Sequence, residues 1–235
     1  MCLLLVKDRV WSSGRDKAIL IWSPKKAVPE KKFVAAFKDK EIFGTAMLEV
    51  DQFVWSGCND GTIRLWDVKN QKVKKELKVD NHGITCMMKR TNQVWTGNEL
   101  GLIHIWNTTT LRPIKTINAH SKPINSFTYI GPTSYPFEIW SCSSDNSIKC
   151  WHAESYDCVK TLAVNTNITC LLQVRSVHHV WAGGEDSNIY VWNAKTYELS
   201  QELVSQQNGP ILTLVLDKKN QIWTGSADGT ICIWR

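Results

Sequence analysis

Apolar and polar residues alternate with a period of two through most of this chain, in short runs broken by glycine, asparagine and aspartate. The segments VWSGCNDGTIRLW (54–66) and IWTGSADGTICIW (222–234) show the pattern most clearly. In each, alternating residues flank an Asp-Gly pair, Asp60-Gly61 and Asp228-Gly229. Asp-Gly between two alternating runs predicts a tight hairpin, because both residues tolerate the positive φ that a two-residue turn demands. A further apolar run lies upstream of each hairpin: Cys2–Val6, Thr45–Val50, Thr85–Met88, Ile124–Ile130, Thr169–Val174 and Leu212–Leu216. A more polar and often basic run lies downstream of four of them: Lys72–Leu77, Pro113–Ile117, Cys158–Leu162 and Leu199–Leu203. The pattern therefore predicts repeated four-stranded antiparallel meanders, with almost no helix.

The tryptophans set the period. They fall in pairs, Trp11/Trp22, Trp55/Trp66, Trp95/Trp106, Trp140/Trp151, Trp181/Trp192 and Trp223/Trp234, each pair 11 residues apart. The first members are spaced by 44, 40, 45, 41 and 42 residues, and all 12 tryptophans are used. The hairpin cores are then 10–22, 54–66, 94–106, 139–151, 180–192 and 222–234. A period of this length with four strands per unit predicts an all-β propeller of six repeats spanning 1–235 as one domain. A blade with neighbours on both faces needs apolar cover on both, and side chains alternate along a strand. Each blade is thus expected to send one tryptophan toward each neighbouring interface. The sixth core ends at Trp234-Arg235, so the last blade lacks an outer strand.

Composition adds constraints. The chain is 43% hydrophobic and 21% charged, with no apolar run approaching a membrane-spanning helix. The net charge of +6 is uneven, +8 in residues 1–120 against −2 in 121–235. A basic patch of Lys25, Lys26, Lys31, Lys32, Lys72, Lys74 and Lys75 could meet an anionic membrane or nucleic acid, or simply solvate a sheet edge. The eight cysteines show no CxxC spacing, and in the absence of a secretion signal they are read as buried thiols of a cytoplasmic or nuclear protein.

The repeated S/T-G-x-x-D-G-x-I-x-x-W element, ending in Trp66-Asp67 in the second repeat, resembles the WD-repeat (WD40) family. Rings of that family usually close by lending an N-terminal strand to the last blade. The resemblance therefore implies that this chain is the C-terminal part of a longer protein, with six or seven blades in the parent. It also implies the role of His120, Ser141, Asp145 and Trp151. On paper His120, Ser141 and Asp145 suggest a nucleophilic triad; in the family frame the four match a structural hydrogen-bond tetrad. Only the fourth repeat has the whole set. The third has Asp80 in the histidine place and Leu100 in the aspartate place; Asp16, Asp60, Asp186 and Asp228 are expected to fix their own turns. Cys142, Cys150, His152 and Cys158 fit no zinc spacing closely. No phosphate loop, nucleophile elbow or zincin motif is present, so neither a cofactor, a metal nor catalysis is expected.

What remains is a surface. Family propellers typically bind peptides or partner domains over one face, near the residues just before the turn aspartate. Here those are Arg15, Asn59, Glu99, Ser144, Glu185 and Ala227, five residue types in six repeats. The expectation is a non-catalytic scaffold for protein or peptide partners, the WD-repeat module of a larger intracellular signalling or regulatory protein. The alternative is a propeller docking through its basic half on anionic lipid or nucleic acid.

Overall fold

In a computed structural model of the chain, which describes residues 2–14, 18–25, 28–34, 43–131, 137–174 and 178–234, the alternating runs become strands. Chain contacts divide it into two compact units, Met1–Asn118 and Ala119–Arg235. The first unit holds three four-stranded antiparallel sheets. Sheet 1 is β1 (Cys2–Val6), β2 (Arg9–Ser13), β3 (Ala18–Ser23) and β4 (Val28–Val34); sheet 2 is β5 (Gly44–Val50), β6 (Phe53–Cys58), β7 (Thr62–Asp67) and β8 (Lys72–Lys78). Sheet 3 is β9 (Ile84–Arg90), β10 (Gln93–Asn98), β11 (Leu102–Asn107) and β12 (Pro113–Asn118). In the second unit, sheet 4 is β13 (Ile124–Ile130), β14 (Glu138–Ser143), β15 (Ser147–His152) and β16 (Cys158–Ala163). Sheet 5 is β17 (Ile168–Val174), β18 (His179–Gly184), β19 (Ile189–Asn193) and β20 (Leu199–Leu203). Sheet 6 has only β21 (Ile211–Leu216), β22 (Ile222–Ser226) and β23 (Ile231–Trp234). Among the described residues there is no helix.

The fourth strand expected of the first repeat is β4, which the sequence pattern did not place because Pro29 and the lysines obscure any alternation. Hairpins form at the Asp-Gly pairs, but only the second residue of each pair takes positive φ, and the turn spans four residues, Gly61 N donating to the Cys58 carbonyl and Gly229 N to that of Ser226. Gly61, Gly101 and Gly229 sit at φ near +80°, and Asn146 and Ser187 take the same left-handed conformation in sheets 4 and 5.

Two irregularities recur in the ladders. Each four-stranded sheet shifts register immediately before its second tryptophan, at Ile21/Trp22, Leu65/Trp66, Ile105/Trp106, Cys150/Trp151 and Val191/Trp192. A second shift lies at the start of the first strand and leaves Thr45, Asn125, Thr169 or Leu212 unpaired with the second strand. A bulge re-aims its extra residue, and here it stitches neighbouring sheets of a unit. Thr45 Oγ1 donates to the Ile84 carbonyl, Thr169 Oγ1 to the Ile211 carbonyl, and Asn125 Nδ2 to the Ile168 carbonyl at 2.7 Å.

Within each unit the tryptophans interlock across sheets. Trp11 clusters with Val54 and Trp66, Trp55 with Ile84, Val94 and Trp106, and Trp140 with Val180 and Trp192. Trp181 meets Trp234 edge-on, ring centroids 6.3 Å apart. The first tryptophan of one sheet and the second of the next therefore share an interface, which is the expected division of the two indoles between two faces. Trp223 departs from it. Within its own unit sheet 6 has a neighbour on one face only, and Trp223 is 38% exposed, with Val215, Ile231 and Ile233 exposed beside it.

Candidate functional site

The turns joining the second and third strands carry the residues proposed to read a partner. Glu99, Glu185 and Ala227 are exposed. Asn59 and Ser144 are half-buried and tied to the first strands of their own sheets: Asn59 Oδ1 accepts from Phe43 N at 2.8 Å, and Ser144 Oγ accepts from Asn125 Nδ2 at 3.2 Å. Arg15 and Asp16 lie outside the described residues. Of the basic patch, Lys25, Lys31, Lys72, Lys74 and Lys75 are exposed. Lys26 and the Lys32 side chain lie outside the description. Lys72, Lys74 and Lys75 are on β8, which the structure thus makes a lysine-rich outer edge.

Beneath the turns lies a buried polar relay whose chemistry changes from sheet to sheet. In sheet 4 the structure brings His120, Ser141, Asp145 and Trp151 together. Trp151 Nε1 donates to Ser141 Oγ at 2.9 Å, His120 Nε2 lies 2.7 Å from that hydroxyl, and His120 Nδ1 lies 3.0 Å from Asp145 Oδ2. A carboxylate only accepts, so Nδ1 carries the proton and Nε2 accepts from Ser141. Burial pushes the His120 pKa below its ordinary value, against the pull of Asp145. The Asp145 carboxyl is itself held below its ordinary value: burial raises it, but donors from Ser147, Ser121 and His120 outweigh that. His120 is only 4% exposed and Ser141 fully buried, with no approach for a substrate. The arrangement can transmit rigidity; it presents no nucleophile.

The other sheets rebuild the relay from residues that motif matching overlooks. In sheet 3, Asp80 accepts from Asn98 Nδ2 at 2.9 Å and from His104 Nε2 at 3.2 Å, while His104 Nδ1 lies 3.0 Å from Thr116 Oγ1. Asn98 Oδ1 also accepts from Leu100 N and Leu102 N, doing for that turn what an aspartate does in the others. In sheet 6, Gln207 replaces the histidine: it accepts from Thr224 Oγ1 at 2.6 Å, and Thr224 accepts from Trp234 Nε1 at 3.2 Å. In sheet 2, Arg64 sits between Glu76 (2.8 Å) and Asp60 (3.7 Å), and in sheet 5 the Tyr190 hydroxyl donates to Asp186 at 2.6 Å. The turn aspartates do fix their own turns, Asp60, Asp186 and Asp228 each accepting from the backbone N–H two residues on. Asp60 and Asp186 additionally anchor the third strand. A register count finds these substitutes: Asp80, His120, Val164 and Gln207 each stand four residues before the isoleucine that opens the first strand.

Sheet 5 is the defective member. Val164 and Ala182 stand where sheet 4 has His120 and Ser141, and the buried Trp192 indole N–H has no partner among the described residues. Ala182→Ser is expected to supply the missing acceptor, as Ser56 does for Trp66 at 2.8 Å, and to stabilise the protein by about 1 kcal/mol. Urea unfolding of the variant beside the parent chain checks this.

Burial holds the Cys58 and Cys170 thiols up at about 11 and Cys86 at about 12, so these are protonated and unreactive near neutrality. In the rejected zinc set, Cys142 and Cys150 are buried and Cys158 is exposed. Among the described residues no three His, Cys, Asp or Glu side chains converge to hold a metal ion, and no helix is long and apolar enough to cross a membrane.

Three segments, residues 49–67, 111–152 and 198–235, match the family described as WD domain, G-beta repeat. The chain is 24% identical over 74% of its length to DENN domain-containing protein 3 of Mus musculus, covering 14% of that protein. It is 30% identical over 48% of its length to myosin heavy chain kinase C of Dictyostelium discoideum, again covering 14%, and 25% identical over 45% to F-box/WD repeat-containing protein 9 of Bos taurus, covering 22%. The chain thus spans less than a quarter of the length of these relatives. Among solved structures, the computationally designed Ika8 protein aligns over 99% of this chain and 82% of its own at a TM-score of 0.71 and 17% identity, a likeness of fold alone. The class that repeats and fold define is the WD40-type β-propeller. Those three segments match WD40 repeats, and the resemblance drawn from the S/T-G-x-x-D-G-x-I-x-x-W element stands.

Proposed function

We propose that this chain is a protein-interaction scaffold, the WD-repeat module of a larger cytoplasmic signalling or regulatory protein, and that it reads partners through the turn row. The observation that supports this most directly is the contrast between levels. The relay beneath the turns of sheets 2, 3, 4 and 6 is buried and hydrogen-bonded, while the turn positions above, of which Glu99, Glu185 and Ala227 are exposed, vary in charge and size. Rigid supports under variable exposed residues are what a recognition surface requires, since little ordering entropy is then lost on binding. WD40 propellers are typically non-catalytic, and the tetrad that imitates a triad is closed to substrate.

Glu99→Arg and Glu185→Arg, made separately in the full chain, are expected to weaken a partner captured by the parent protein at least tenfold without changing its unfolding midpoint. Capture unaffected by either variant and falling steeply with salt would move the reading to the lysines of β8 and an anionic surface.

A further inference from the structure

Interfaces between sheets of a unit repeat one contact. The first tryptophan of a sheet packs against a valine and the second tryptophan of the next: Trp11 against Val54 and Trp66, Trp55 against Val94 and Trp106, Trp140 against Val180 and Trp192. In each receiving sheet that valine stands directly opposite the second tryptophan in the ladder, so the two form one socket. Trp11, Trp55 and Trp140 are at most 1% exposed once inserted.

Each unit leaves one half of such a contact open. In sheet 6 it is the inserting half: Val215, Trp223 and Ile233 lie side by side across the ladder with Ile231 on the same face, and they are 53%, 38%, 47% and 67% exposed. In sheet 1 it is the receiving half. Val10 stands opposite Trp22 as Val54 stands opposite Trp66, both half-buried, and Leu5 and Leu3 extend that face at 65% and 76% exposed. Large exposed apolar side chains gathered on one face mark an interaction surface. The two faces are unlike and complementary, the condition for a head-to-tail contact between copies rather than a two-fold one. Charge points the same way: the socket belongs to the part of the chain with net charge +8 and Trp223 to the part with −2, so unlike faces attract and like faces repel.

We infer that a second copy of this chain covers these faces head to tail, Trp223 of one copy entering the Val10–Trp22 socket of the next. The contact continues between copies the packing already present between neighbouring sheets, and it leaves the turn row free. The inserting face is three strands of four to six residues, well under the roughly 800 Å² per partner of a standard interface, so the association is weak, with a Kd on the order of 10 μM. A head-to-tail dimer keeps one open face of each kind and therefore admits further copies.

Sedimentation velocity on the full chain tests this. At about 100 μM the parent chain is expected to form dimers and larger species. Leu3→Asp with Leu5→Asp blocks the socket, and Ile231→Asp with Ile233→Asp blocks the inserting face; all four side chains are exposed, so urea midpoints should stay close to the parent's. Each variant alone should sediment as a monomer, and an equimolar mixture of the two should form dimers and nothing larger, because one intact face of each kind remains. Single Leu5→Lys and Ile233→Lys changes carry the same test if a double variant unfolds early. Association that persists in either variant alone would mean that a face pairs with its own kind or that another surface is used. A parent chain still monomeric at about 200 μM would leave the faces to a different occupant. Either result overturns the proposal.

Discussion

Trp140→Ala is expected to cost about 3–5 kcal/mol of stability, a large fraction of what a domain of this size holds. Trp140 is fully buried, stacks on Tyr197 with centroids 6.0 Å apart, and donates its indole N–H to Glu138 at 2.9 Å. Glu138 is itself buried, a carboxylate held by two donors, Trp140 and the Tyr197 hydroxyl. Truncation therefore opens an indole-sized cavity and strips a buried carboxylate of one partner, and the second effect adds to the first. Trp223→Ala is the internal comparison. The same residue type at the same repeat position, but 38% exposed and with its N–H on the half-buried Asp217, should cost about 1 kcal/mol. Urea midpoints of both variants measure the difference, and equal losses would show that repeat position rather than interface burial sets the energy.

The second large effect belongs to the sheet 4 relay. Ser141 accepts from Trp151 and donates to His120, so Ser141→Ala leaves two buried groups unpaired at once, for a loss of about 2–4 kcal/mol. Sheet 5 shows how a propeller tolerates the change: its alanine is accompanied by Val164 instead of a histidine. Adding His120→Val to Ser141→Ala should accordingly recover part of the loss, because one of the stranded groups is removed. The same histidine makes stability depend on pH. Its folded pKa lies below the ordinary 6.5, so as pH falls past 6.5 the unfolded chain takes up a proton that the folded chain refuses. Stability should then decline from that point until the folded pKa is reached. His104 in sheet 3, lowered chiefly by burial, acts in the same direction. Asp145, with its folded pKa below 3.8, contributes stability that persists above that value and is lost only at more acid pH. Unfolding free energies between neutrality and pH 5 should show the slope, reduced by His120→Gln; a flat profile in the parent chain would refute the neutral-histidine assignment.

Why the fold was so legible is a matter of redundancy. Each repeat carries two indoles at fixed positions, and a strand–turn–strand unit places residues 11 apart on opposite faces of one sheet. Asp-Gly pairs fixed the turns because positive φ leaves few alternatives. The relay was legible only where the chain kept His, Ser and Asp together. Arg64, Tyr190 and His104 escaped because only cross-strand register brings them to the relay, whereas Gln207 escaped motif matching but not a count of four residues back from Ile211. β4 was implied by the four-stranded unit but not placed, since Val28, Pro29, Glu30 and Lys31 show no alternation. The bulges were also invisible, because Thr45 and Thr169 look like ordinary β-branched strand residues until the ladder shows them unpaired.

The claim on which these expectations depend is that neighbouring sheets of a unit are joined by an indole from each side. A double-mutant cycle on Trp55→Ala and Trp106→Ala, which share one core cluster although they come from sheets 2 and 3, tests it most directly. The interlocked arrangement predicts that the two changes fall short of additivity by about 1 kcal/mol or more, since the second indole has already lost its partner in the first variant. Losses that add to within about 0.3–0.5 kcal/mol would mean that the two residues stabilise separate surfaces, and the interlocking would be wrong.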